Sequence, residues 1–350
     1  MKTPSPPFPR RSAPNRQQGG LTLVELMISI TIGLLLLAGI TALIAAQSST
    51  RAELDKSGKQ IENGRYALTV LQDDIEHAGY YGQYAGVLLA PAVLPDPCAT
   101  DAAVIDASLG APIQGYDAPT SVPAPLSACL QDADHIPGTD ILVIRRLEAT
   151  DTPTAISGAI AGQVYVQTTP DAKVTAIGPD TAPSTYTLTE KDGVTSAGLR
   201  KFVEHIYFLS PCNKYAAGAT SCNGAADGGQ PIPTLKRLQL TTVGGTPAFV
   251  TTPLVEGIEN LQFDYGIDSD GKGVPATPFI TAPTLADWPN VMALKVSLLA
   301  RNLDSTPGYA ATDRTYNLGL SGAVGPFTDA FKRHVYTASI RVINPSSRRE

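Results

Sequence analysis

An uncharged apolar run near the N-terminus constrains this chain more than any other feature. From Leu26 to Ala46 the sequence has 21 residues without a charged side chain. At 1.5 Å per residue, a helix of this length spans about 31 Å, the thickness of the hydrocarbon core of a bilayer. The other 329 residues contain no second run of this kind, so the sequence excludes a polytopic membrane protein.

The residues before this run are basic. Residues 1–20 contain Lys2, Arg10, Arg11 and Arg16 and no acidic side chain. The positive-inside rule therefore places residues 1–20 in the cytoplasm and everything after Gln47 on the other side of the membrane.

Two ordinary interpretations of this segment compete, a secretory signal peptide and a plain signal anchor. The run is long for a signal peptide, and residues 45–47 (AAQ) are a poor substitute for a small-residue cleavage site. Glu25 argues against a plain anchor, because a carboxylate inside an apolar segment costs several kcal/mol unless it is paired or near the interface.

Residues 20–25 (GLTLVE) resemble the processing signal of type IV prepilins and of type II secretion pseudopilins. The resemblance implies that a membrane peptidase cleaves after Gly20 and that Leu21, where the family usually has Phe, becomes the methylated N-terminus. It also implies that Glu25 pairs with the free N-terminal amine of an adjacent subunit during assembly. The physics agrees, because a carboxylate in lipid requires a cation.

The absence of proline between Pro14 and Pro91 predicts one long helix, from about Thr22 to about Ala78, with Gly79 as its C-terminal stop. Within its second half, the heptad spacing predicts an apolar stripe that docks on a globular domain; a free-standing coiled coil is the alternative. The stripe is predicted to comprise Leu54, Ile61, Leu68 and Ile75, with Ala67, Leu71 and Ala78 in neighbouring positions.

Residues 80–350 alternate short apolar runs with Pro, Gly and Thr, which predicts an antiparallel sheet packed against the helix, an α+β arrangement. Residues 82–138 are predicted to form an irregular excursion. The predicted strands are residues 140–145, 163–168, 202–209, 235–241, 261–265, 291–300 and 336–342.

Four cysteines lie beyond the apolar run, in a compartment where disulfides persist. Three pairings are open. Cys98–Cys129 and Cys212–Cys222 are favoured, because each pair brackets one loop-rich segment. The cysteine and histidine spacings show no zinc pattern.

Asp268 and Asp270 precede Gly271, an alternation that could ligate calcium. An EF-hand register from Asp268 places Lys272 at its fifth position and Phe279 at its twelfth, and both are incompatible with that site. A structural Asp-Gly turn is the favoured alternative, so no cofactor is expected.

An enzyme is not expected, because the sequence contains no nucleophile elbow and no Walker A motif, and its four histidines form no catalytic pattern. A net charge of −6 gives no excess of cations for nucleic-acid binding.

Four further stretches resemble the PilW family of minor pilins and, to a lesser degree, pseudopilin J: residues 60–80, 138–143, 254–268 and 288–299. The resemblance implies the type IV pilin fold. The expected parts are a cleaved leader (1–20), a transmembrane and filament-core helix (21–50), an amphipathic helix on the head (51–79) and a periplasmic or extracellular head (80–350).

By the same resemblance, the chain is expected to be an inner-membrane, single-pass minor pilin that enters a tip or priming complex and then the pilus fibre at the cell surface. The implied partners are other minor pilins, the major pilin, the prepilin peptidase, the inner-membrane assembly platform and a tip adhesin. Two alternatives stay open, a minor pseudopilin of type II secretion and an adhesive tip subunit that binds a surface ligand.

Overall fold

The computed structural model describes residues 20, 22–150, 158–178, 186–276, 278–310 and 312–349. The chain forms two units, Met1–Leu54 and Asp55–Glu350. The helices are α1 (Leu23–His77), α2 (Ala102–Ser108) and α3 (Ile343–Ser347). The strands are β1 (Ile113–Tyr116), β2 (Ile141–Leu147), β3 (Val164–Thr168), β4 (Lys173–Ile177), β5 (Leu199–Ser210), β6 (Thr234–Val243), β7 (Thr246–Glu256), β8 (Ile258–Ile267), β9 (Val291–Arg301), β10 (Tyr316–Asn317), β11 (Ala323–Val324) and β12 (Arg333–Arg341).

Both ends of α1 follow from local chemistry. The backbone N–H of Glu25 donates to Thr22 Oγ1 at 3.2 Å, and the Thr22 hydroxyl faces the Glu25 carboxylate at 3.5 Å. This side-chain arrangement satisfies donors that a helix start leaves open. At the other end, Gly79 adopts φ +72° and its N–H donates to the carbonyl of Arg145.

In the first unit, α1 is apolar and exposed. It is the only helix in the described part of the chain that is long and apolar enough to cross a membrane. Leu23 and Leu35 are 74% and 71% exposed. This surface requires an apolar environment such as lipid or neighbouring helices, because exposed apolar area carries a large free-energy cost in water.

In the second unit, a seven-stranded antiparallel sheet centres on β5. The N-terminal part of β5 pairs with β3, its C-terminal part pairs with β6, and β2 lies along its other edge. Beyond these neighbours lie β4, β7 and β1 respectively. A second sheet has the order β12-β9-β8.

The C-terminal part of α1 shares one hydrophobic core with both sheets. Ala67, Leu71 and Ile75 pack in the same buried cluster as Tyr207 of β5 and Val296 of β9. The alternation of β5 sends Tyr207 toward this core and its neighbours Ile206 and Phe208 to the opposite face.

The opposite face of the main sheet is covered by residues 82–138. Leu126 and Leu130 pack there against Ile206 and Phe208. The region is mostly irregular, as predicted, but it also contains α2 and β1, which the sequence analysis missed. Strand β1 extends the main sheet by pairing with β2.

The predicted stripe on α1 is confirmed in part. Ala67, Leu71, Ile75 and Ala78 are buried, whereas Leu54 and Ile61 are 66% and 45% exposed, and the buried stripe follows a three-and-four spacing. Its members are Gln60, Gly64, Ala67, Leu71, Asp74, Ile75 and Ala78. The prediction placed Ala67 and Ala78 beside the stripe. In the structure, the small residues lie at the centre of the buried stripe, because they allow the helix backbone to approach the sheets closely.

All seven predicted strands are present with shifts at their ends, but β1, β4, β7 and the two-residue strands β10 and β11 were missed. Strand β7 contains Pro247 and Pro253 together with several threonines, so its sequence lacks a clear apolar alternation. It pairs only with β6 among the described strands, and an edge strand tolerates proline because its outward N–H groups need no partner.

Candidate functional site: processing segment and helix–head contacts

The segment predicted to be processed lies directly before α1. Gly20 is exposed, and a Cβ placed on it would have no heavy atom within 4 Å. Leu21 and the leader residues 1–19 lie outside the described residues. Glu25 is exposed in the first turn of α1, where a carboxylate also interacts favourably with the helix dipole. Within this unit Gly20 and Glu25 are both exposed.

A buried carboxylate joins α1 to the main sheet. Asp74 is 3% exposed and accepts three side-chain hydrogen bonds. Arg146 Nε donates to its Oδ1 at 2.7 Å, while His205 Nδ1 and Tyr207 Oη donate to its Oδ2 at 2.6 Å and 2.9 Å. These donors come from β2 and β5, so the carboxylate connects the helix with two adjacent strands.

The electrostatics of this cluster keep Asp74 ionised. Burial alone would raise the pKa of the Asp74 carboxyl, but the hydrogen bond from His205 and the charge and hydrogen bond of Arg146 hold it well below its usual range. Burial lowers the pKa of His205 against the opposing effect of Asp74. A neutral His205 donates through a protonated Nδ1, since an ionised carboxylate can only accept.

Close contacts between α1 and the sheets continue from Asp74 toward the N-terminal end of the packed part of the helix. Gln60 Nε2 donates to the carbonyls of Ala300 and Lys332, at 2.8 Å and 3.0 Å. A Cβ on Gly64 would clash with the ring of Tyr336, so a larger residue would require this ring on β12 to shift. The helix is therefore held by specific polar contacts as well as by apolar burial.

The stretches that resemble PilW contain further structural contacts. Asp140 accepts from the backbone N–H groups of Ala118 and Phe263, at 2.8 Å and 2.7 Å, and thereby ties the start of β2 to β8. Glu259 accepts two hydrogen bonds from the buried guanidinium of Arg333, at 2.5 Å and 2.9 Å. These residues hold the two sheets and the end of the chain together.

Both favoured cysteine pairs are disulfide-bonded. Cys98 is joined to Cys129 within the excursion, and Cys212 is joined to Cys222 in the loop between β5 and β6. The first bond packs beside the apolar cluster that covers the main sheet. Each bond therefore anchors a segment with little regular structure of its own.

The Asp268 turn has the contacts of a structural turn. The Asp268 carboxylate is buried and accepts from the backbone N–H groups of Gly271, Lys272 and Gly273, and Arg349 pairs with it at 3.0 Å. Asp270 instead forms an exposed pair with Lys272 at 2.6 Å. A cation site does not fit this set of donors. Nor does any group of three or more His, Cys, Asp or Glu in the described residues form a metal site.

The sequence analysis did not single out Asp74 and His205. A signal was present, because Asp74 falls in the three-and-four phase of Ala67, Leu71 and Ala78. A carboxylate in the phase of the buried residues indicates a buried acid that needs partners. The identity of those partners, on strands more than seventy residues away, is not encoded in any local pattern.

Comparisons with known proteins give matches to family models and to a solved structure. Residues 15–41 match the family model of the prokaryotic N-terminal methylation motif, and residues 220–344 match that of type IV pilus-assembly protein W. A solved structure of a type IV-like pilin from Thermus thermophilus aligns at 13% identity and a TM-score of 0.26, over 59% of this chain and 78% of that chain. No curated protein is significantly similar to the chain.

The chain therefore combines a match to the methylation motif with a long apolar N-terminal helix and an antiparallel sheet head. The region that matches the protein W model, residues 220–344, contains β6 to β12.

Proposed function

We propose that this protein is a minor pilin of a type IV pilus. A prepilin peptidase cleaves the chain after Gly20, Leu21 is methylated, and the mature subunit enters a tip or priming complex that starts pilus assembly. The methylation motif over residues 15–41, with its exposed Gly20 directly before an apolar helix, is the observation that carries this proposal.

The helix and the head have separate roles in this proposal. Residues 21–50 anchor the precursor in the inner membrane and later pack in the filament core, while residues 51–79 fix the head to the helix. The head, residues 80–350, contacts other minor pilins, the major pilin and a tip adhesin. The exposed apolar side chains of the first unit support this division, because burial among lipids or helices stabilises them.

Processing is tested by intact mass and N-terminal sequencing of the membrane-extracted chain, from cells with and without the prepilin peptidase. The expected mature chain starts at methylated Leu21 and is lost without the peptidase. The variant Gly20→Val should remain uncleaved, while Gly19→Ala is the matched control and should be cleaved normally. A start at Met1 in peptidase-positive cells, or cleavage near Ala46, would contradict the proposal.

We also propose that Glu25 pairs with the N-terminal amine of a neighbouring subunit. The variant Glu25→Gln keeps the size of the side chain and removes its charge. We expect it to be cleaved and methylated but absent from sheared pili, whereas the exposed-site control Glu62→Gln assembles normally. Wild-type incorporation of Glu25→Gln would refute this role without affecting the processing result.

The role in initiation is tested in a strain that lacks this chain. We expect few surface pili in that strain, restored pili after complementation, and co-purification of other minor pilins with the wild-type chain. A strain with normal pili and a defect in protein secretion would instead assign the chain to a type II secretion pseudopilus. Normal pili with impaired attachment would favour the adhesive role.

A further inference from the structure

A cavity of about 500 Å³ lies between the flank of α1 and the start of β12. Helix α1 contributes Ile61 and Arg65, and β12 contributes Tyr336. Tyr309 and Arg314, from the segment between β9 and β10, close another side. All of these residues belong to the second unit, so the cavity is part of the head and the helix segment packed on it.

The charge of this cavity is opposite to that of the whole chain. Its lining includes three arginines and one lysine and no Asp or Glu, whereas the chain carries a net charge of −6. Arg333 is already neutralised, because its guanidinium is bonded to Glu259 and Asp329. Arg65 and Arg314 are both exposed, and neither guanidinium has an ion-pair partner among the described residues.

We propose that this cavity binds an acidic peptide segment of a partner subunit. The inference builds on the proposed function, since a pilin of a tip complex contacts other subunits through its head. The Arg65 and Arg314 guanidiniums bind carboxylates of the segment, with the planar two-point geometry that arginine offers to a carboxylate.

The shape of the cavity favours a short peptide over a single small anion. The α1 residues that line it run from Ser57 to Arg65, a distance of about 12 Å at the helical rise. Apolar contacts are available as well, because Ile61 is 45% exposed and Tyr309 and Tyr336 are half-buried. A segment of a few residues with alternating carboxylates and apolar atoms matches both features.

The probe for this site is hexaglutamate with a fluorescent label, titrated with the full chain in detergent micelles and followed by fluorescence anisotropy. We expect binding that weakens as ionic strength rises and that is absent with labelled hexaglutamine. Arg65→Gln and Arg314→Gln should each raise Kd about three- to fivefold, the effect of one exposed ion pair, and the double variant should raise it further.

Lys59→Gln is the matched control, because it removes one exposed positive charge from the same helix at a position outside the cavity lining. Its Kd should equal that of the wild-type chain. An equal loss of affinity for hexaglutamate in Lys59→Gln and Arg65→Gln would overturn the site. The peptide would then be attracted by exposed positive charge in general and not by this cavity. Binding of oligogalacturonate but not of hexaglutamate would overturn the peptide proposal in favour of an acidic glycan.

The peptide test and the processing test fail independently. If the mature chain starts at Leu21 but hexaglutamate does not bind, the pilin function stands and the acidic-peptide site is wrong. If hexaglutamate binds through Arg65 and Arg314 but the chain starts at Met1, the site stands as a peptide site and its assignment to a pilus partner is wrong.

Discussion

Asp74 and His205 are 131 residues apart in the sequence, and the Asp74 Oδ2 and His205 Nδ1 atoms lie 2.6 Å apart in the folded head. The side chains are 3% and 5% exposed. One belongs to α1 and the other to β5, the central strand of the main sheet. Their contact couples the position of the helix to the packing of the head.

Replacing Asp74 should destabilise the head strongly. Asp74→Asn removes the charge that faces Arg146 and replaces one of the two acceptor oxygens by an NH2 donor, so either Arg146 or the pair His205 and Tyr207 loses its acceptor. We expect the free energy of unfolding to fall by about 3 kcal/mol, as for other broken buried ion pairs. The measurement is a urea titration of the full chain in detergent micelles, followed by the fluorescence of Trp288.

The neighbouring residue provides the control for this variant. Asp73 has a side chain that is 74% exposed, so Asp73→Asn should change the free energy of unfolding by less than about 0.5 kcal/mol. Equal stabilities of Asp74→Asn and Asp73→Asn would show that the buried cluster does not stabilise the head.

Asp140 should make stability fall with rising pH between about pH 3.8 and about pH 7. Burial raises the pKa of its carboxyl to about 7, from an ordinary value of 3.8, despite two backbone hydrogen bonds that lower it. The folded chain therefore holds this proton more tightly than the unfolded chain. The resulting stabilisation is complete below pH 3.8 and is lost as the pH rises through about 7.

The variant Asp140→Asn isolates this effect. The stability lost on substitution should be smaller at pH 8 than at pH 5, by about 2 kcal/mol. Asp304→Asn, at an exposed position whose charge is not among those acting on Asp140, should show the same difference from wild type at both pH values. A cost of Asp140→Asn that is constant with pH, or that grows toward pH 8, would refute the direction of the shift.

Two glycines of α1 should respond to alanine with opposite signs. A Cβ on Gly64 would lie 2.3 Å from the Tyr336 ring, so Gly64→Ala should cost about 1–3 kcal/mol through overpacking. A Cβ on Gly58 meets no heavy atom within 4 Å, so Gly58→Ala should stabilise the helix by up to about 1 kcal/mol. Urea titrations measure both changes.

The contact with Tyr336 is checked by a double variant. In a Tyr336→Ala background, Gly64→Ala should lose its cost, because the clashing ring is gone. If Gly64→Ala remains equally destabilising in that background, its cost comes from another source than the contact between α1 and β12.

The two disulfides should differ in their contribution to stability. The bonded cysteines are 31 residues apart in Cys98–Cys129 and 10 residues apart in Cys212–Cys222. Loop entropy predicts losses of about 4 and about 3 kcal/mol when both cysteines of a pair are replaced by alanine. Urea titrations of the two double variants test the order, and a larger loss for the shorter loop would contradict it.

Sequence patterns predicted the elements of this fold well wherever local chemistry decides the conformation. The run without proline and the stop at Gly79 predicted the bounds of α1 to within one residue. Apolar runs predicted the central strands, whose side chains are buried. The edge strand β7 was missed, because an edge strand needs no apolar alternation and accommodates Pro247 and Pro253.

The face of α1 that packs on the sheets could not be predicted fully from local patterns. Leu54 and Ile61 indicated one face by hydrophobicity, but the sheets bury the face that contains Gly64 and Ala67. Close approach to β12 requires the absence of side-chain volume at Gly64, and hydrophobic spacing carries no information about the volume on the facing strand.

By itself, the sequence determined the membrane-length helix, the processing motif around Gly20 and the α+β class, because each depends on residues close together in the chain. Only the tertiary structure decided that Asp74 meets His205 and Arg146, and that Arg65 and Arg314 line one cavity. These residues lie 72 to 249 positions apart in the sequence. Strand order and the rotation of the helix bring them together, and both depend on the packing of the whole head.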